Sequence, residues 1–227
     1  MNSIRETGVQ IDPVIVDETT NVALDGMHRI RAIQELQLKR IMVAKVNYSD
    51  QRIELGRWLR GIRLPSYSLI EELKVALKLI KVESPQEAIK MVDSGNSPVA
   101  LITKGIGLVS SANLRGMDRF HLIREFDRRV AGNEVLSEFE MQDKLKSGYA
   151  VLYVPKPTKD EVIEAGLTGR LFPPKSTKHS IYMRPVNVRC PIELLSGKMS
   201  DSEATSIFQE LLNRIQKKVL PAGSTYA

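Results

Sequence analysis

The chain has 227 residues, 42% of them hydrophobic and 26% charged, which is ordinary globular composition and excludes a disordered or fibrous chain. No apolar run approaches the ~18 residues needed to span a bilayer, and the single cysteine, Cys190, excludes an internal disulfide. A formal net charge of +6 suits phosphate-bearing ligands, whether nucleotide or nucleic acid, without choosing between them.

The start, Met1 to Glu6, is too polar for a signal peptide, so a cytoplasmic protein is expected. Residues 9–17 end in a β-branched run that predicts a strand, and Val22 to Leu24 predicts a second. The polar residues 18–21 between them read as a hairpin loop. After Asp25-Gly26 the period changes. Ile30, Ile33 and Leu36 are spaced for one face of a helix, and residues 41–46 read as a third strand.

A second helix is expected from Ser66 to Leu79 with Ser68 as its cap. Ser84-Pro85-Gln86-Glu87 combines an N-cap serine, a proline at the first helical position and a glutamate three residues after the cap. That helix stops at Ser94-Gly95, and a strand follows over 98–103. The unit recurs: a helix through Met141 and Leu145 stops at Ser147-Gly148, before a strand over 149–154. Between the copies, Met117 to Val130 reads as a basic amphipathic helix.

Thr158 to Glu161 opens another capped helix. Residues 171–179 read as an irregular polar loop, 180–188 as a strand broken by Pro185, and 202–220 as a final helix. The expected class is mixed α/β. The division is expected near Pro65, giving a 1–65 domain and a 66–227 domain that contributes the loop at 171–180.

Two segments carry chemistry. Asp25-Gly26-Met27-His28-Arg29 sits between a strand and a helix. Helix N-termini present unpaired N–H groups, Gly26 permits close approach, and His28 and Arg29 add donors, so the turn can cradle a phosphate. The alternative is that Asp25 caps the helix and Arg29 lies on a solvated face. Lys175-Ser176-Thr177-Lys178-His179 offers five donor side chains after Pro174, which suits an anionic or zwitterionic ligand, or an ordinary solvated loop. Trp58, the only tryptophan, reads as a core anchor. His121 reads as structural and Cys190 as a small buried group.

The run from Pro13-Val14-Ile15-Val16 through Ala23-Leu24-Asp25-Gly26-Met27-His28-Arg29 resembles the ParB/sulfiredoxin superfamily, whose signature is a strand ending in D-G-x-H-R before a helix. More narrowly, the chain resembles the free L-serine kinases of that superfamily. Pro157-Thr158-Lys159-Asp160-Glu161-Val162 matches their P-T-K-E-E-V, and Phe172 to His179 matches their F-x-P-K-x-T-x-H. The interval from Tyr48 to Trp58 fits their substrate tryptophan. Sulfiredoxins carry a nucleophilic cysteine where this chain has Met27, so thiol chemistry of that kind is unavailable. Partition proteins continue into a DNA-binding helix-turn-helix, which is not legible after Pro65.

The resemblance implies a ParB/sulfiredoxin-like N-terminal domain and a second α/β domain built from helix–strand units. It implies transfer of a phosphoryl group from a nucleotide to free L-serine with Mg²⁺, the donor being ATP or ADP, with ATP favoured. The product, O-phospho-L-serine, could feed cysteine synthesis. Asp25, Gly26, Met27, His28 and Arg29 would hold the nucleotide phosphates, with Asp25 near the reacting centre and Lys175 facing the phosphates. Trp58, Thr177 and His179 would bind serine. No nucleic-acid or membrane partner is implied. The family's general-base glutamate falls upstream of Met1, so no residue takes that role by carry-over, and Asp25 is one substitute. The alternatives are a ParB-like nucleotide-binding regulator or DNA binder without kinase activity, and a kinase of another hydroxyl substrate.

Overall fold

The computed structural model describes residues 2–214 and 218–220. They form two compact units, one of residues 1–54 and 179–227 and one of residues 55–178. No helix among the described residues is long and apolar enough to cross a membrane.

The first unit is built on a three-stranded sheet. Val14–Asp17 pairs antiparallel with Ala23–Asp25 and parallel with Val43–Val46. The expected hairpin is there, and Asp17 shapes its loop. Its Oδ2 accepts the Thr20 amide at 2.8 Å and the Thr20 hydroxyl at 2.7 Å, the local side-chain-to-backbone bonding that makes aspartate a turn residue. A helix over Met27–Glu35 follows and buries Ala32 and Ile33. These join Ile4, Met42, Val188, Cys190, Leu194 and Leu195 in one apolar core. Val9–Gln10 pairs with Cys190–Pro191, so the late segment closes onto the early one.

The second unit holds a six-stranded antiparallel sheet. Its order is Glu134–Leu136, Leu59–Arg63, Tyr149–Tyr153, Ala100–Ile102, Gly107–Ser110 and Leu79–Val82. The two helix–Ser-Gly–strand copies are the helices Pro85–Asp93 and Met141–Lys146 with the strands Ala100–Ile102 and Tyr149–Tyr153, which lie side by side. Strand Gly107–Ser110 packs on the start of the Pro85 helix. A Cβ on Gly107 would lie 2.4 Å from the Ser84 carbonyl oxygen, so only glycine fits there.

Ser84 and Thr158 cap their helices as their spacing predicts. Ser84 accepts the Glu87 amide, and Thr158 and Glu161 form a complete capping box at the start of Lys159–Thr168. Replacing Thr158 with alanine is expected to lower unfolding stability by about 1 kcal/mol, read as a shift in the urea midpoint with unchanged slope.

Several boundaries differ from expectation. The cap of the Tyr67–Ala76 helix is Ser66, whose Oγ accepts the Leu69 amide, and not Ser68, which is already helical. That helix ends before Leu79, because Lys78 turns left-handed at φ 52° and the chain enters the strand Leu79–Val82. Met117 to Val130 is a 3₁₀ turn, Gly116–Phe120, followed by an α-helix, His121–Arg129. Thr177–Ser180 is a strand and not loop, and the broken strand expected over 180–188 is Arg184–Val186. The final helix runs Asp201–Arg214. Residues 215–217 of its expected span lie outside the described residues, and Lys218–Leu220 is a strand paired with Arg184–Val186.

The contacts do not divide at Pro65. Leu59–Arg63 is an interior strand of the six-stranded sheet, hydrogen-bonded on both edges, so residues 55–65 belong to the second unit. Residues 179–227 return to the first unit because Val188, Cys190, Leu194 and Leu195 complete its core.

Candidate functional site

In the first unit, the turn after Ala23–Asp25 brings together three of the singled-out residues and one unforeseen one. Gly26 has φ 105°, a left-handed conformation, and it is the N-cap of the Met27–Glu35 helix. A Cβ on Gly26 would lie 2.8 Å from Arg29 Nη2 and 3.0 Å from a Val14 methyl. Glycine is therefore needed both for the backbone angle and for the room the Arg29 side chain takes up. No side chain caps this helix, so the alternative in which Asp25 serves only as its cap is not what the structure shows.

Asp25 is instead held between two arginines. Arg29 Nη2 donates to its Oδ2 at 3.0 Å, and Arg184 Nη2 donates to the same oxygen. Burial pushes the Asp25 carboxyl up, but the Arg184 and Arg29 guanidiniums outweigh that and hold it below the usual carboxylate range. Asp25 is thus a firmly ionised group and a weak proton acceptor, which suits it poorly to general-base work at neutral pH. Arg29 Nε is buried with no hydrogen-bond partner among the described residues. A buried guanidinium nitrogen without an acceptor carries a desolvation cost. Met27 and His28 project as exposed side chains from the same helical start.

His179 also lies in the first unit, where its Nε2 is 2.8 Å from the Tyr48 hydroxyl. Burial, with the Asp17 charge adding to it, pushes the Tyr48 phenol up. The phenol therefore keeps its proton at neutral pH, and the imidazole tautomer sets which of the two groups donates. Tyr48 is a functional candidate that spacing did not single out in its own right.

In the second unit, Trp58 is half-buried, and Lys178 Nζ lies 4.7 Å from its ring centroid. Side chains alternate along a strand, so the neighbour on the indole is the residue between Thr177 and His179. Lys175 is exposed and left-handed at φ 56°, and its carbonyl accepts Arg60 Nη1 at 2.9 Å. Ser176 is buried, with its Oγ lacking a partner among the described residues.

The remaining singled-out residues are structural. His121 is exposed, 3.9 Å from Asp118. Cys190 is buried, and burial pushes its thiol up to about 11, so it is inert as a thiolate. The basic helix is not a free cationic stripe. Arg115 donates to the Gly95 carbonyl and Arg124 to the Leu171 carbonyl. Arg119 pairs with Glu161, and Arg128 and Arg129 both pair with Glu125. Phosphate-tracking surfaces need side-chain cations free to contact the nucleic-acid phosphates.

Magnesium takes oxygen ligands, commonly one or two protein carboxylates with phosphate oxygens and water. Among the described residues no group of three or more His, Cys, Asp or Glu is assembled. Asp25, an ionised carboxylate at the Gly26 turn, fits an ion held chiefly by phosphate oxygens.

The glycine turn, the helix start without a side-chain cap, and the Arg29 Nε without a partner among the described residues are features that suit an anionic ligand. The comparisons narrow the class. No family model matches the chain. An ATP-dependent L-serine kinase of Staphylothermus marinus is 26% identical over 210 residues, 86% of this chain and 82% of the relative. The ADP-dependent L-serine kinase SerK of Thermococcus kodakarensis is 24% identical over 207 residues, 86% of this chain and 83% of the relative. A solved free serine kinase mutant in complex with ADP matches with a TM-score of 0.70 at 22% identity, covering 86% of this chain and 83% of that one. C-terminally truncated SbnI from Staphylococcus aureus matches with a TM-score of 0.74 at 17% identity, over 93% of this chain and 85% of that one. The chain has the fold of the free serine kinases and resembles the L-serine kinases along most of its length.

Proposed function

We propose that this protein is a kinase that phosphorylates the hydroxyl of free L-serine from a nucleotide donor. The observation that carries the reading is the turn at Asp25, with its glycine N-cap and its unsatisfied Arg29 Nε, in a chain similar to L-serine kinases over 86% of its residues. In this reading Asp25, Gly26, Met27, His28 and Arg29 hold the nucleotide phosphates, and Lys175 adds positive charge to them. Trp58, Thr177 and His179 hold serine, with His179 oriented by Tyr48.

The serine Oγ attacks the terminal phosphorus, a new O–P bond forms, the bond to the leaving nucleotide oxygen breaks, and the hydroxyl proton is released to water. Such transfers depend on positioning and charge neutralisation more than on covalent help from the protein. Arg29 and Arg184, fixed by Asp25, supply donors that need no reorganisation as charge moves onto the leaving oxygen. Asp25 would be the protein carboxylate for a magnesium ion, which would supply charge neutralisation on the nucleotide phosphates. ATP is the favoured donor, and the co-product distinguishes the two: ATP leaves ADP, and ADP leaves AMP.

Around the Met117–Val130 segment three arginines pair with carboxylates and two are held by backbone carbonyls, which favours this reading over DNA binding. Steady-state kinetics of Thr177→Ala test it. The KM for serine is expected to rise about tenfold or more, as for loss of a hydrogen bond to a charged ligand, with the nucleotide KM within about twofold. A serine KM unchanged by Thr177→Ala would remove this residue from the substrate site. Turnover of another alcohol in preference to serine would move the activity to a different substrate.

A further inference from the structure

Arg60 lies in the strand Leu59–Arg63 and is 1% exposed. A guanidinium has five N–H donors, and the five contacts of Arg60 all fall within the second unit. Nε donates to Asp127 Oδ1 at 3.0 Å, and Nη2 to Asp127 Oδ2 at 3.3 Å. Nη2 also donates to the Pro174 carbonyl at 2.7 Å. Nη1 donates to the Lys175 carbonyl at 2.9 Å and, at the longer distance of 3.4 Å, to the Trp58 carbonyl. One buried cation thus ties two consecutive residues of the 171–179 segment to the backbone of the tryptophan.

The segment needs such a tie. Lys175 is left-handed at φ 56°, a conformation that costs a non-glycine residue on the order of 1 kcal/mol and persists where its surroundings enforce it. Ser176 Oγ, buried and without a partner among the described residues, makes no bond that could fix the turn. Asp127, on the helix His121–Arg129, sets the angle of the guanidinium, and Asn133 Nδ2 donates to its Oδ1 at 3.2 Å.

We propose that Arg60, oriented by Asp127, is a positioning residue for substrate binding. It fixes the backbone from which Lys175 and Thr177 project and sets it against Trp58. This rests on the assignment of Trp58, Lys175 and Thr177 to ligands made above. Arg60 itself touches no ligand and acts through the carbonyls it holds.

Asp127→Asn tests the proposal, because it keeps the shape of the side chain but turns an amide donor or a neutral oxygen toward the guanidinium. Asp127→Glu is the conservative variant, retaining the charge. Four quantities are read for each: the KM for serine, the KM for nucleotide, the urea midpoint, and the rate of tryptic cleavage after Lys175 relative to that after Lys104, an exposed lysine outside the segment. For Asp127→Asn the serine KM is expected to rise about tenfold with the nucleotide KM within about twofold. Cleavage after Lys175 is expected to accelerate about fivefold against Lys104, as local opening becomes easier. Asp127→Glu should fall between wild type and Asp127→Asn on both readouts.

A lowered midpoint with unchanged serine KM and an unchanged cleavage ratio in both variants would overturn the proposal and leave Arg60 a core residue only. If the wild type forms no phosphoserine, the kinase reading fails. The cleavage ratio still decides whether Arg60 holds the segment. If Asp127→Asn does not fold, Asp127→Glu carries the same comparison.

Discussion

Asp25→Asn is expected to lower phosphoserine formation by about 10³-fold while the protein stays folded. The size follows from what the carboxylate touches. Arg29 and Arg184 both donate to its Oδ2, and an amide at this position cannot neutralise two guanidiniums. Their positions over the helix start then loosen. Losing one preorganised electrostatic contact at a reacting centre costs about 10²–10³-fold, and here one substitution disturbs two cations and the protein carboxylate assigned to the metal. Folding is affected far less, because Asp25 is 37% exposed and ion pairs with water access are worth little.

The pH dependence has a definite sign. The Asp25 carboxyl is lowered in the folded protein from its ordinary 3.8. Its contribution to stability is therefore fully present above about pH 4 and is lost as pH falls through the lower, folded value. Asp25 should give no acid limb to the rate between pH 5 and 8. A rate profile titrating there, and missing from Asp25→Asn, would mean that Asp25 exchanges a proton during turnover. Full activity in Asp25→Asn would remove the turn from the active site.

The largest effect on stability is expected at Arg57. Its side chain is 5% exposed and donates to Asp93 at 2.8 Å, to Glu138 at 2.7 Å, to the Val154 carbonyl at 2.9 Å and to the Tyr153 hydroxyl. Burial works against its charge, yet the hydrogen bonds it donates to Asp93 and Glu138 prevail and raise its pKa further. Arg57→Met removes the cation and leaves a buried carbonyl and two carboxylates without their partner. Breaking a fully buried ion pair costs about 3–5 kcal/mol. Asp93 and Glu138 keep 45% and 44% exposure, so water recovers part of that, and a loss of about 2–3 kcal/mol is expected in urea unfolding. A loss under about 1 kcal/mol would show that the network is replaceable.

What the sequence made legible follows the range of the interactions. The Ser84 and Thr158 caps act across three residues and could be read directly. So could the Asp25-Gly26 turn, where a strand period gives way to a helical one at a glycine. The strand Leu79–Val82 was hidden, because Ile70, Leu73 and Leu77 set a helical spacing that Ile80 continues, and nothing local announces the left-handed Lys78. The second arginine on Asp25 comes from 159 residues away, and the carbonyls that Arg60 holds lie 114 and 115 residues from it. No periodicity encodes such pairings. Tyr48 could have been found by its place ten residues before Trp58, but its hydrogen bond to His179 spans 131 residues and needed coordinates. The misplaced boundary at Pro65 has the same origin. Leu59–Arg63 looks like an end of the first unit until its two antiparallel partners, both beyond residue 130, are known.

A ³¹P NMR spectrum of the purified protein incubated with L-serine, magnesium and ATP, and in parallel with ADP, tests the account most directly. A phosphomonoester signal coupled to the serine methylene, growing in proportion to ADP released from ATP or AMP released from ADP, is the expected result. Intact donor and no such signal in either mixture, from protein shown to be folded, would contradict it.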